Sequence, residues 1–228
     1  MAEIKGKCDE KFASVAETLS QSLDCGDDIG ASAAVFIDGE PVVDIWGGYF
    51  DGTFTREWGR NTIICCHSTT KTMSAIAALV AADRGLIDLD ERVAKYWPEF
   101  AQNGKENILV RHLLGHSSGV AGWQETVTWD DVYDLDYSLD LLAQQAPWWE
   151  PGTASGYHGI TFGHLISGVL RGATGKTLGQ FFADEVAGPL GADFHIGTGP
   201  ELDHRVAPFV RAIEDPPEPS NPIADRVC

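Results

Sequence analysis

His67-Ser68-Thr69-Thr70-Lys71-Thr72-Met73-Ser74-Ala75-Ile76-Ala77-Ala78-Leu79-Val80-Ala81-Ala82-Asp83-Arg84-Gly85 reads as one helix with a start and a stop. Met73, Ile76, Ala77 and Val80 recur at helical spacing and predict a buried stripe. Gly85 stands where a C′ glycine closes a helix, and the opening falls near Ser68. Residues three apart share a helical face, so Lys71 is carried to the Ser68 hydroxyl. A serine hydroxyl becomes a nucleophile when a neighbouring base takes its proton, and a neutral lysine amine can do this. Lysine's ordinary pKa, near 10.4, makes that neutrality a demand on the surroundings, met by burial or a positive field. A helix N-terminus supplies such a field and points backbone N–H groups at a developing oxyanion. The spacing alone leaves a second reading open, in which Ser68 is an N-cap and Lys71 a solvated surface residue.

Upstream, residues 8–25 predict a helix, with Phe12, Val15, Leu19 and Leu23 in phase and Gly26 past its end. Ala31–Ile37 and Pro41–Trp46 are apolar runs around Asp38-Gly39, a strong hairpin signal. Downstream, the chain reads as helical and short-looped to about residue 190. Asp88 and Glu91 have capping-box spacing before Val93–Tyr96, with Trp97-Pro98 as the stop. Val132, Leu135, Leu139 and Leu142 predict one helix ended by Pro147; Phe162–Leu170 and Leu178–Val186 predict two more. Residues 213–228 hold Pro216, Pro217, Pro219 and Pro222, the composition of a linker or frayed end. Three segments follow: 1–84 (helix, hairpin, nucleophile helix), 85–212 (helical) and the 213–228 tail. The order is that of an α+β fold.

The chain has 228 residues, 43% of them hydrophobic and 22% charged, ordinary globular usage that excludes disorder throughout. Its formal net charge of −18 repels nucleic acid and anionic membrane surfaces, and neither is expected as a partner. No run approaches the ~18 apolar residues of a membrane span, and Met1–Cys8 lacks a signal-peptide core. Cys8, Cys25, Cys65, Cys66 and Cys228 are odd in number and irregularly spaced, so neither a disulfide framework nor a zinc knuckle is expected. A reduced, cytoplasmic setting fits this usage.

Asp38–Gly48 followed by His67-Ser-Thr-Thr-Lys71 resembles the serine β-lactamase-fold hydrolases, and among them the family VIII carboxylesterases. Arg111–Gly119, Trp149–Thr153, Thr174–Lys176 and Gly188–Gly191 resemble further segments of that family in the same order, over residues 8–210. The resemblance implies a β-lactamase/D,D-peptidase-like fold, in which an antiparallel sheet packs with helices beside an all-helical region. It implies that Tyr157 shares acid–base duty with Ser68 and Lys71. Gly159 stands where β-lactamases and peptidases usually carry the asparagine of Tyr-x-Asn, which favours ester over β-lactam or peptide substrates. Trp148, Trp149 and His158 are expected to line the substrate pocket, with Trp123 and Trp129 near its mouth. No metal or organic cofactor is implied.

Other patterns are set aside. Gly115-His-Ser117-Ser-Gly119 matches a nucleophile elbow but lacks the preceding core strand and following helix. His112 and His116 have no H-E-x-x-H glutamate between them, and Gly175-Lys176-Thr177 lacks the upstream glycine of a P-loop. His195-Ile-Gly197 imitates the family's third motif but follows Tyr157 too closely, and reads as a turn.

The resemblance also implies three further strands and a closing helix that no segment after residue 198 supplies. A lone hairpin is marginal in water, with Val35, Phe36 and Ile37 on an unpaired edge. The chain is therefore expected to be a fragment lacking a C-terminal segment, one of two complementary chains, or a natural short form, with a homo-oligomer also open. The expected activity is hydrolysis of a small-molecule ester through an acyl-enzyme on Ser68. β-lactamase, D,D-peptidase or acyltransferase activity is the alternative within enzymes, and a silent binding module the alternative outside them.

Overall fold

The computed structural model describes residues 1–210; the proline-rich 213–228 segment lies outside them. These residues divide into two units, Met1–Cys65 with the described residues from Thr198 onward, and Cys66–Gly197.

In the first unit the hairpin forms as its turn demands. Asp38 and Gly39 have φ of 51° and 83°, the paired positive values of a type I′ turn. They join β2 (Gly30–Ile37) to β3 (Glu40–Gly48), where Val43 and Ile45 alternate into the core. The hairpin is not alone. A strand that the sequence pattern did not announce, β1 (Ile4–Cys8), pairs antiparallel along β3 from Ile4↔Gly47 to Cys8↔Val43, giving the order β1-β3-β2. β1 alternates lysine with Ile, Gly and Cys, so it carries little apolar period to read. Its presence shortens the expected first helix, and α1 runs Ala13–Cys25 behind a 3₁₀ turn at Glu10–Phe12. Gly26, at φ 83°, closes α1 as expected. Among the described residues β2 pairs with β3 alone, and Phe36 and Ile37 on its outer end are 63% and 44% exposed. A short parallel pair, β4 (Ile63–Ile64) with β5 (Val206–Ala207), completes the unit.

The second unit is helical and contains the Ser68 helix. A 3₁₀ turn, His67–Thr69, leads into α2 (Thr70–Asp83). Ser74, Ala77, Ala78 and Ala81 are its buried residues, while Met73, Ile76 and Val80 flank them half-buried against the same core. The buried face is thus centred on small residues that allow close helix approach. Val93–Lys95 is a single 3₁₀ turn without a side-chain cap; the Asp88 carboxylate instead accepts from the Asp90 N–H, so the expected capping box does not form. After α3 (Val110–Leu114) comes a long irregular stretch rather than a short loop. The helix expected around residues 132–142 is broken into α4 (Trp129–Tyr133) and α5 (Leu135–Gln144), because Asp134 caps α5 through the Tyr137 N–H. α6 (Thr161–Thr174) is the central helix, with Leu165, Ile166, Val169 and Leu170 buried. Gly172 of α6 lies so close to the Tyr96 carbonyl that a Cβ there would overlap it. α7 (Leu178–Phe182) continues through a π-helical turn into α8 (Gly188–Leu190). Among the described residues no helix is long and apolar enough to cross a membrane.

Lys105, fully buried, ties this unit together. Its ammonium donates to the carbonyls of Gln102, Ala143 (3.0 Å) and Gln145, joining the 100s loop to the end of α5. Burial pushes its pKa down to about 8. Lys105→Met would leave three buried carbonyls without their donor. It is expected to cost about 3–5 kcal/mol, read as a lower urea midpoint.

Candidate active site

The turn ahead of α2 positions Ser68. His67 has φ of 44°, an unusual value for a non-glycine residue and typical of constrained functional turns. Ser68 follows it on the exposed side, and Lys71 lies one turn further along. Lys71 Nζ donates to Ser68 Oγ at 3.1 Å and to the Gly159 carbonyl at 2.6 Å. Tyr157, half-exposed, donates its phenolic O–H to Ser68 Oγ at 2.6 Å, and Lys71 Nζ sits 4.7 Å from the Tyr157 ring centroid. Lys71 and Tyr157 thus converge on the Ser68 oxygen, and Tyr157 comes to it from 89 positions further along the chain.

Tyr157 stands on a platform made by two irregular loops. The Trp148, Gly152 and Gly156 N–H groups donate to the carbonyls of Gly119 (2.7 Å), Ser117 (2.9 Å) and His116 (3.0 Å), stitching residues 148–156 along 116–119. His158 fastens them from beneath. It is fully buried, with Nδ1 2.6 Å from the Gly156 carbonyl and Nε2 2.7 Å from Ser118 Oγ. A carbonyl only accepts, so the ring proton lies on Nδ1, and Nε2 accepts from the Ser118 hydroxyl. Ser118 Oγ in turn accepts from the Val120 N–H at 3.1 Å. The His158 N–H donates to His116 Nδ1 at 3.1 Å, and the His116 ring lies 5.1 Å from that of Tyr157. Burial pushes the pKa of His158 down to about 4 and that of His116 below its ordinary value; Lys71 adds to the second shift. Both rings are thus neutral near pH 7. The sequence reading weighed His116 only as a metal partner of His112, and met Ser118 only inside the His-Ser-Ser-Gly run set aside as a false elbow.

A cavity of about 610 Å³ lies in the same unit, lined by Trp123, Trp129 and Trp148 with Glu125, Ile160 and others. Of the three residues expected at the substrate pocket, Trp148 lines this cavity and Trp149 and His158 do not. Trp149 packs its ring under Gly156 and edge-on to His158, and its buried Nε1 has no hydrogen-bond partner among the described residues. His158 is corrected from pocket wall to buried support, because both its ring nitrogens are already engaged inside the protein.

The patterns set aside have other roles. No helix follows Ser117, whose hydroxyl lies 3.5 Å from the His112 carbonyl. His112 Nδ1 accepts from the Leu109 N–H, and among the described residues no group of three or more His, Cys, Asp or Glu could hold a metal ion. Lys176 pairs with Asp184 and Glu185, and Thr177 caps α7. Gly197 has φ of 84° in a bend.

The Beta-lactamase family model matches residues 15–227. The chain belongs to the Beta-lactamase family. Esterase/beta-lactamase LipL of Mycobacterium tuberculosis is 37% identical over 207 residues, covering 90% of this chain and 48% of that protein. A solved family VIII carboxylesterase superposes with a TM-score of 0.87 at 46% identity, covering 91% of this chain and 57% of that one. A penicillin-binding protein homologue from Caulobacter crescentus gives 0.89 at 36% identity, covering 94% and 58%. Among Beta-lactamase family members, then, the chain spans about half the length of the curated relatives it matches. The α+β expectation of a small antiparallel sheet with a helical region holds for this family fold.

Proposed function

We propose that this chain carries the nucleophilic half-site of an ester hydrolase that works through a Ser68 acyl-enzyme. The reading is supported above all by the convergence of Lys71 Nζ (3.1 Å) and Tyr157 Oη (2.6 Å) on Ser68 Oγ. Ser68 Oγ attacks the ester carbonyl as its proton passes to the Lys71–Tyr157 pair, the amine accepting through its lone pair. The Ser68 N–H stabilises the tetrahedral oxyanion. The C–O bond to the alcohol then breaks, and the stored proton goes to the leaving alkoxide. Water, deprotonated by the same pair, splits the acyl-enzyme and returns the proton to Ser68.

Ester rather than β-lactam substrates are favoured by Gly159. It offers no side-chain amide to a substrate's amide arm, and its carbonyl is occupied by Lys71. The names of its relatives, esterase/beta-lactamase and family VIII carboxylesterase, agree with this reading. A fluorophosphonate probe followed by peptide mass mapping tests the nucleophile and is expected to tag Ser68. An adduct on Ser117, or none in folded protein, would overturn it. With p-nitrophenyl butyrate and a chromogenic cephalosporin side by side, the ester is expected to turn over at least 10²-fold faster; the reverse ranking would reject ester specificity.

A further inference from the structure

The cavity that reaches Ile160 combines aromatic walls with an acidic side chain. Three tryptophans line it, and Ile160, also in its lining, directly follows the residue whose carbonyl receives Lys71. A volume of about 610 Å³ suits a small-molecule group. Trp123 is held in place by its Nε1, which donates to the Ser138 carbonyl at 3.3 Å, and Trp129 stacks on Tyr133 with centroids 6.2 Å apart. The one charged side chain in the lining is acidic, and Lys71 reaches the Gly159 carbonyl, one residue before Ile160. Glu125 is in the lining, and no lysine or arginine is. None occurs anywhere between Arg111 and Arg171, a stretch that carries seven Asp and Glu. Asp131, two positions from Trp129, stays anionic because Thr128 donates both its hydroxyl and its N–H to that carboxylate, at 2.7 Å each.

Tryptophan faces attract cations through the ring quadrupole, and most strongly where water is partly excluded. Surrounding carboxylates add a long-range field of the same preference and oppose an anionic group. We propose that this cavity is a subsite for a cationic, apolar group, and that the preferred substrates are small esters bearing a quaternary or tertiary ammonium. This rests on the ester-hydrolase reading for the reaction, but not for the binding.

Butyrylcholine and its neutral carbon isostere, 3,3-dimethylbutyl butyrate, differ only in that charge. At low salt kcat/KM is expected to favour the cation by about tenfold, and raised ionic strength should shrink the ratio. Trp129→Leu is expected to bring it near one, and Glu125→Gln to lower it about two- to threefold. Equal turnover of the two esters, or a ratio untouched by Trp129→Leu, would overturn the proposal. Binding is read independently by quenching of tryptophan fluorescence with benzyltrimethylammonium against neutral neopentylbenzene. Selective quenching by the cation without hydrolysis of either ester would reject the reaction while keeping the subsite. Absence of selective quenching would reject the subsite whatever the chain hydrolyses.

Discussion

Ser68→Ala is expected to remove at least 10³-fold of the kcat/KM for p-nitrophenyl butyrate while leaving the urea midpoint within error of the parent. The hydroxyl lies on the exposed side of its turn, so its loss opens no cavity. Lys71→Ala is expected to cost about 10³–10⁴-fold, the size of a lost general base, and Tyr157→Phe about 10²-fold. Lys71 and Tyr157 both engage the Ser68 oxygen, at 3.1 Å and 2.6 Å, so their effects should not multiply. The Lys71→Ala/Tyr157→Phe double variant is expected to lose little more than Lys71→Ala alone. Lys71→Arg should not rescue, because a guanidinium offers no lone pair at neutral pH. A Ser68→Ala variant retaining a tenth of parental turnover would sink the assignment, and strictly multiplicative losses would place Tyr157 outside the proton path.

The parts of this arrangement legible in the sequence were those fixed by local rules. The Ser68–Lys71 pairing follows from helical spacing, and the Asp38-Gly39 turn follows from the positive φ that both residues adopt. Gly26 and Gly85 ended helices where expected, since the left-handed conformation is a local requirement. What escaped depends on partners distant in the chain. β1 is a strand because β3 supplies its hydrogen bonds, and its own lysines give no alternation of apolar residues. The 132–142 pattern looked continuous because apolar periodicity is blind to a cap, and Asp134 spends its side chain on the Tyr137 N–H. His158 was expected at the pocket wall. Only the fold shows that Ser118, 40 residues away, takes its other ring nitrogen into the interior.

That burial makes His158 the largest expected source of acid sensitivity in the helical unit. Its imidazole is pushed to about 4 by burial, partly offset by the Gly156 carbonyl, against an ordinary 6.5 in the unfolded chain. Between those values the unfolded state binds the proton and the native state does not, so stability falls as pH is lowered from 6.5 towards 4. The loss over the whole window is on the order of 3 kcal/mol. His116 and His112, also lowered by burial, add to it with the same sign. Urea midpoints should therefore begin to drop near pH 6.5, above the range in which surface carboxylates titrate. His158→Phe fills the same space without a titrating ring. At pH 8 it is expected to cost about 2–4 kcal/mol, because Ser118 Oγ and the Gly156 carbonyl lose their buried partner. Below pH 6.5 its midpoint should change less with pH than the parent's, so the two curves converge. Tyr157 would lose the support beneath its loop, and kcat for an ester should fall while the Ser68 adduct still forms. Parallel curves from pH 8 to 5 would show that another group carries the acid response, and an unchanged kcat would show that Tyr157 is held without His158.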